Sequence, residues 1–120
     1  MSEHLEGLRT VIYPSSNLAE SRAWWSGILG VEPYFDEPFY VGFSVAGYEL
    51  GLLPDADPAQ GALVYWGVGD VQDAIDVAIA QGAAEHSPPT DVGDDIVTGS
   101  VRTPDGSILG FIRNPHFTLG

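Results

Sequence analysis

The segments TVIYPSSNL, residues 10–18, and LVYWGVGDV, residues 63–71, decide the fold, because they repeat one pattern. Each begins with β-branched and aromatic residues, which favour a strand, and reaches a polar residue, Asn17 or Asp70. An acidic residue stands three positions after each polar residue, as at the start of a capped helix. We therefore predict two strands that each run directly into a helix.

The residues after each segment also repeat one pattern. Apolar residues recur at helical spacing, first at Leu18, Trp25, Ile28 and Leu29 and then at Val71, Ala74, Ile75, Ala78 and Ile79. Gly30 and Gly82 are predicted to end the two helices. Each half then has three extended segments: 32–36, 40–45 and 48–53, then 84–87, 96–103 and 107–113. This predicts an α+β fold of two tandem βαβββ modules in one domain, residues 6–54 and 62–117, with a linker at 55–61.

Three motifs carry a resemblance to a known family. They are the strand-to-helix entries that end at Asn17 and Asp70, the sequence WWSGILG at 24–30, and TPDGS at 103–107. Together they resemble the vicinal oxygen chelate superfamily, which includes glyoxalase I, extradiol dioxygenases, fosfomycin-resistance enzymes and bleomycin-binding proteins. The resemblance implies an incomplete curled barrel around a ligand cavity, commonly within a homodimer.

Charge excludes several classes of function. Seventeen acidic residues against four basic ones give a net charge of -13, which repels phosphate backbones and anionic lipids. We therefore exclude nucleic-acid and membrane partners. No apolar run approaches the roughly 20 residues of a membrane span, and residues 1–7 lack the basic start of a signal peptide, so we expect a cytoplasmic protein. The absence of cysteine removes thiolate nucleophiles and thiolate metal ligands.

The resemblance also implies where metal ligands stand in metal-dependent relatives: at one position in the first strand and one in the closing strand of each module. Here these four positions hold Thr10, Gly51, Leu63 and Gly110. Leucine and glycine offer no side-chain donor, and threonine is a poor one. We therefore expect neither a divalent metal site nor a cofactor.

Glu49 is the main candidate among the carboxylates. If 46–47 is a two-residue hairpin loop, alternation along the strands places Glu49 with Tyr40 and Ser44 on the face away from the helices. There it is a candidate general base or cation-binding group, since partial burial raises the pKa of a carboxyl. The alternative is a carboxylate wetted by solvent at an open rim.

The predicted ligand-binding residues are Thr10, Ile12, Phe35, Tyr40, Ser44, Glu49, Tyr65 and Arg102. Tyr65, Tyr40 and Phe35 offer aromatic surface for a flat or cationic ligand. A three-residue loop at 104–106 would place Arg102 on the same face, where it would bind a substrate carboxylate; a surface ion pair is the alternative.

The three histidines are expected to be ordinary residues. His86 and His116 have no second ligand at a useful spacing, and His4 belongs to the terminus. The aspartates within 91–95 lack the twelve-residue pattern of a calcium loop and predict a solvated turn. We assign none of these residues as a metal ligand.

These observations favour a metal-independent small-molecule binding protein, similar to the bleomycin-resistance type, that prefers a cationic or aromatic ligand and forms a homodimer. The alternative is a lyase or isomerase, or a dioxygenase-family relative, in which Glu49 is the base. Such an enzyme would act without a metal, or with a displaced one held by residues such as Glu49 and His86. A third interpretation is a structural module whose barrel is filled by side chains. The sequence leaves the choice between binding and catalysis open.

Overall fold

The computed structural model describes residues 5–118 and contains one series of elements twice. The first series is β1 (Leu8–Pro14), α1 (Leu18–Leu29), β2 (Phe35–Glu37), β3 (Tyr40–Val45) and β4 (Tyr48–Leu53). A short 3-10 turn, Pro58–Gln60, precedes the second, which is β5 (Leu63–Gly67), α2 (Val71–Ala80), β6 (Ala84–Asp91), β7 (Val97–Arg102) and β8 (Ile108–Arg113). The predicted α+β fold of two tandem βαβββ modules is confirmed.

The two series also share their strand order. It is β2-β3-β4-β1 in the first and β6-β7-β8-β5 in the second. In both, the opening strand pairs in parallel with the closing strand, and the other neighbours are antiparallel. The described chain groups into two compact units, one of residues 10–63 with Thr118 and one of residues 64–117 with 5–9. We call these the first unit and the second unit.

The helix boundaries follow from their capping residues. The Asn17 side chain accepts a hydrogen bond from a backbone N–H of the first turn of α1 at 3.1 Å, and the Asp70 side chain does the same for α2 at 3.0 Å. Gly30 ends α1 in the left-handed region, with φ 74°. The predicted end of α2 is one residue late, since Gln81 is the cap and the left-handed Gly82 comes after it.

The core of the first unit lies on one face of a hairpin. Ala46 and Gly47 both have positive φ, as a two-residue turn requires, and this turn sets Val41 opposite Leu52 and Phe43 opposite Leu50. These four apolar side chains are buried, and residues of β1 and α1 pack against them. The other face of the hairpin is therefore left for polar residues.

The core of the second unit is built in the same way. Buried residues of α2, β7 and β8, together with Val68 directly after β5, form one cluster: Val68, Val71, Ala74, Ile75, Val101 and Phe111. The β7–β8 connection is the predicted three-residue loop, since Thr103 N–H bonds the Ser107 carbonyl at 2.8 Å and Gly106 has φ 91°.

Three features differ from the prediction. The strand β2 is shorter than the expected 32–36 and begins only at Phe35. The strand β6 extends four residues beyond the expected 84–87, because it is an edge strand with register shifts that tolerate prolines. Ile28, expected on the apolar face of α1, is exposed. Neither helix within residues 5–118 is long and apolar enough to span a lipid bilayer.

Candidate ligand-binding site

Glu49 lies in the middle of the first unit's sheet. Its strand, β4, runs between β1 and β3, so that Glu49 stands opposite Thr10 on one side and Ser44 on the other. Because its neighbour Leu50 faces the core, alternation directs Glu49 to the opposite face, where it is half-buried. The hairpin turn therefore sets the position of this carboxylate.

Three hydroxyl groups contact the Glu49 carboxylate. The hydroxyls of Tyr34 and Tyr40 both donate to Oε2, at 2.5 Å and 2.9 Å. The hydroxyl of Thr10 reaches Oε1 only at 3.5 Å, which is a long hydrogen bond. A carboxylate has about four lone-pair positions. The two tyrosines therefore occupy Oε2, whereas Oε1 keeps the capacity to accept from a ligand.

Two glycines let the tyrosines reach this carboxylate. Gly42 on β3 and Gly51 on β4 stand opposite each other. A β-carbon on Gly42 would lie 3.0 Å from both Glu49 Oε2 and the Tyr34 ring, and one on Gly51 would overlap the Tyr40 hydroxyl. Any larger residue would displace a ring, so the glycines belong to the architecture of the site.

The same surroundings keep Tyr34 protonated. Partial burial raises the pKa of the Tyr34 phenol, and the hydrogen bond to Glu49 and the charge of that carboxylate raise it further. Tyr34 is therefore a neutral hydrogen-bond donor throughout the physiological range. In the second unit, burial likewise raises the pKa of Tyr65.

An aromatic cluster lies beside the Glu49 carboxylate, around the ring of Phe35. The ring of Phe35 lies 6.5 Å from Tyr34, 5.8 Å from Phe39 and 6.1 Å from Tyr40, measured between centroids. Tyr34 is 61% exposed and Phe39 is 62% exposed, so the cluster presents open aromatic surface beside the carboxylate. None of the ion pairs within residues 5–118 involves Glu49.

The four metal positions implied by the family resemblance do not fit a divalent ion. The Tyr40 hydroxyl covers Gly51, and the Tyr65 ring covers Gly110, where an added β-carbon would lie 2.6 Å from Tyr65 Cδ1. Thr10 is buried and its hydroxyl points to Glu49, while Leu63 offers no donor. No group of three or more His, Asp or Glu residues in the described part of the chain is arranged to hold a metal.

The structure brings together part of the predicted set. Thr10 and Tyr40 each donate a hydrogen bond to Glu49, and the ring of Phe35 lies beside that of Tyr40. Ile12 and Ser44 stand at neighbouring register positions: Ile12 opposite Gly51, and Ser44 opposite Glu49. No hydrogen bond between Ser44 and the carboxylate is present in residues 5–118.

The other two predicted residues belong to the second unit. Tyr65 packs over Gly110, and Arg102 is exposed and donates to the Gly106 carbonyl of its own loop at 3.1 Å. Arg102 forms none of the ion pairs within the described residues, and its role as a clamp for a ligand carboxylate stays a prediction.

The histidines occupy separate surroundings. His86 Nδ1 lies 2.9 Å from the hydroxyl of the buried Ser100, and His116 Nε2 lies 2.9 Å from the Asp94 carbonyl. His4 lies outside the described residues. Asp91 accepts a hydrogen bond from Gly93 N–H within the expected turn.

Tyr34 is the residue that the sequence reasoning missed. It precedes the three-residue β2 and is held there by a backbone hydrogen bond from its N–H to the Gly42 carbonyl at 2.9 Å. The available signal was the pair Gly42 and Gly51, since strand glycines often mark the close approach of another group. That signal indicates where a bulky side chain fits but does not identify it.

A groove of about 570 Å³ lies at the start of α2 and is lined by residues of the second unit. Three of its four acidic residues belong to the helix start or the helix: Asp70 caps it, Asp73 lies in its first turn, and Asp76 accepts a hydrogen bond from Gln72 at 3.0 Å. The fourth, Glu6, forms an ion pair with Arg9, and we assign this groove no function.

Comparisons with known proteins are consistent with this architecture. The profile of the family described as Glyoxalase/Bleomycin resistance protein/Dioxygenase superfamily matches residues 7–111. No curated protein matches the sequence.

Several solved structures are similar in fold. A hypothetical protein from Bacillus halodurans superimposes with a TM-score of 0.76 at 12% identity, over 94% of this chain and 97% of the other. Methylmalonyl-CoA epimerase from Mycobacterium tuberculosis gives 0.75 at 14% identity, over 96% and 93%. A glyoxalase/bleomycin resistance protein/dioxygenase superfamily member from Vibrio splendidus gives 0.65 at 18% identity, over 89% and 99%. At these identities the similarity shows the fold alone.

Proposed function

This chain belongs to the Glyoxalase/Bleomycin resistance protein/Dioxygenase superfamily, and on that premise we propose that it binds a small aromatic cation without the help of a metal. The observation that carries the proposal is the Glu49 carboxylate, which lies beside an exposed aromatic cluster and has no ion-pair partner among residues 5–118. The two features match the two halves of such a ligand.

The charged half of the ligand would meet Glu49. Oε2 already accepts from two tyrosines, so a ligand N–H would donate to Oε1. A charge-assisted hydrogen bond of this kind is about twice as strong as a neutral one. The net charge of -13 adds a long-range attraction for cations.

The aromatic half would lie on the exposed rings of Tyr34 and Phe39. Aromatic pairs gain about 0.5–1.5 kcal/mol beyond the area that they bury, and a cation over an aromatic face gains about 0.5–2 kcal/mol. These contributions favour a flat cation over a metal ion. A separate observation supports metal independence: tyrosines cover Gly51 and Gly110, which are two of the four positions implied for a metal site.

Catalysis with Glu49 as general base is the second candidate. A base must approach a substrate proton within hydrogen-bond distance. Oε2 is turned toward two hydroxyl donors and Tyr34 keeps its proton, so only Oε1 is available for that step. Since the neighbouring groups hold the carboxylate as an acceptor and supply no proton relay through Tyr34, we place binding ahead of proton abstraction.

Calorimetric titration with tryptamine and its uncharged analogue tryptophol tests the proposed function. We expect tryptamine to bind with a dissociation constant below about 1 mM, and tryptophol to bind at least about tenfold more weakly, since the ion pair is lost. Glu49→Gln should weaken tryptamine binding to the level of tryptophol. Glu85→Gln, an equal charge change at an exposed residue of β6, is the matched control and should have no such effect.

Two outcomes would contradict the proposal. One is the absence of binding by tryptamine and by other aromatic amines at millimolar concentration. The other is equal affinity of the Glu49→Gln and Glu85→Gln variants, because the attraction would then come from the overall charge of the protein.

A further inference from the structure

We propose a second binding site, for a small carboxylate that carries an apolar group, in a cavity of about 240 Å³ in the second unit. Two arginines and several apolar residues line it: Arg9, Arg113, Val68, Ile112, Pro115 and Phe117. The proposal does not depend on Glu49, because no residue of the candidate cation site contributes to this cavity.

The charge of the cavity is opposite to that of the protein. The chain has four basic residues in all, and two of them, Arg9 and Arg113, line this one space. Glu6 is the one acidic residue among the lining residues. The lining therefore carries a net positive charge in a chain whose net charge is -13.

Arg9 is held in place from two sides. Its guanidinium lies over Gly67, where an added β-carbon would stand 2.6 Å from Nε. On another side its Cζ atom is 3.8 Å from the centroid of the Phe117 ring. The side chain is only 16% exposed. Arg9 is therefore pre-organised by a cation–π contact and by the absence of a side chain at Gly67.

The donors of this guanidinium are not consumed by the protein. Within residues 5–118 its one hydrogen bond goes to the Leu8 carbonyl, at a long 3.4 Å. The oxygen of Glu6 lies 3.7 Å away, which is an ion pair but is too long for a hydrogen bond. Since a guanidinium has five N–H donors, most of them remain open to a ligand.

The chemistry of the ligand follows from these groups. The planar fork of an arginine matches the two oxygens of a carboxylate. Val68, Ile112 and Phe117 supply apolar walls that suit a hydrocarbon or aromatic group. The volume lies below the roughly 300–1,000 Å³ of sites for drug-sized ligands, so a compound of the size of benzoate is appropriate. Arg113 adds a second positive charge, while one of its N–H groups bonds the Asp95 carbonyl at 3.2 Å.

Glu6 would compete with the ligand for Arg9. Its side chain is 53% exposed, and an exposed ion pair at this distance is weak. A ligand carboxylate that forms two short hydrogen bonds to the same guanidinium would therefore replace it. This competition gives the proposal a test in which a substitution strengthens binding.

Calorimetric titration of the intact protein with sodium benzoate and with benzamide, its uncharged analogue, is the experiment. We expect benzoate to bind and benzamide to bind at least about tenfold more weakly, because it lacks the charge that Arg9 recognises. Arg9→Gln should weaken benzoate binding by about tenfold or more, and Arg9→Lys, which keeps the charge without the fork, by less. Arg22→Gln is the matched control: this arginine of α1 lies outside the cavity lining, and its loss should change the affinity by less than about twofold.

Glu6→Gln keeps the proposal testable even where Arg9→Gln fails to fold. It should strengthen benzoate binding by several-fold, about threefold or more, whereas Glu85→Gln, with the same change of net charge, should not. Equal binding of benzoate and benzamide, no binding of either, or equal effects of Glu6→Gln and Glu85→Gln would overturn the proposal.

Discussion

The hydroxyl of Tyr40 lies directly over the α-carbon of Gly51. A β-carbon at that position would overlap the hydroxyl oxygen and would stand 2.6 Å from Tyr40 Cζ. From there the hydroxyl donates to Glu49 at 2.9 Å. A position that holds a metal ligand in metal-dependent relatives, according to the resemblance, thus serves here as the space for a phenol.

Gly51→Ala should therefore destabilise the protein. The added methyl group must displace the Tyr40 ring, and overpacking of this kind costs about 1–3 kcal/mol. The free energy of unfolding, measured by urea denaturation, checks this. Gly27→Ala is the control: Gly27 lies in α1 with no atom near its missing β-carbon, so alanine there should be neutral or stabilising by roughly 0.5–1 kcal/mol. Equal effects of the two substitutions would show that Tyr40 does not depend on Gly51.

The two helix caps should contribute similarly to stability. Asn17→Ala and Asp70→Ala each remove a side-chain acceptor from the first turn of a helix, at a cost of about 1 kcal/mol. Asp70→Asn keeps an acceptor and is the control, so most of the stability should remain. Urea denaturation of the three variants measures the effect. A loss in Asp70→Asn equal to that in Asp70→Ala would assign the contribution to charge and not to capping.

Much of the site was predictable from the hairpin. The dipeptide Ala46-Gly47 fixed the turn, the turn fixed the register, and the register placed Glu49 and Tyr40 on one face. The turn, the register and the facing of these side chains all depend on residues close in sequence. The helix starts at Asn17 and Asp70 were predictable for the same reason.

Tyr34 was not predictable by alternation, because β2 has only three residues and Tyr34 precedes it. Its position depends on a backbone hydrogen bond to Gly42 on another strand. The adjacent tryptophans of α1 show the same limit: the ring centroid of Trp25 lies 5.1 Å from that of Tyr13, whereas Trp24 is exposed. The spacing of apolar residues indicates that a helix has an apolar face, but the packing of the helix on the sheet decides which of two adjacent residues is buried.

Divalent cations should not stabilise the protein. A metal that binds only the folded state raises the unfolding temperature with its concentration. Tyr40 covers Gly51 and Tyr65 covers Gly110, two of the implied metal positions. We therefore expect no change in the unfolding temperature on addition of Mn²⁺, Ni²⁺ or Zn²⁺, and none with a chelator. Differential scanning fluorimetry measures this. A saturable, metal-specific rise in the unfolding temperature of a chelator-treated sample would contradict metal independence.

The raised pKa of Tyr34 predicts how stability depends on alkaline pH. In the unfolded chain a tyrosine loses its proton near pH 10, whereas burial and then Glu49 raise the pKa of Tyr34 in the folded state. The contribution of Tyr34 is therefore fully present below about pH 10 and declines as the pH rises from there toward the folded-state pKa. Tyr34→Phe removes the titrating group, so its free energy of unfolding should fall less steeply than that of the wild type above about pH 10. Urea denaturation from pH 8 to pH 11 compares the two slopes, and absorbance near 295 nm should show one fewer late-titrating phenol in the variant. Parallel slopes would mean that the hydrogen bond from Tyr34 to Glu49 does not persist in solution.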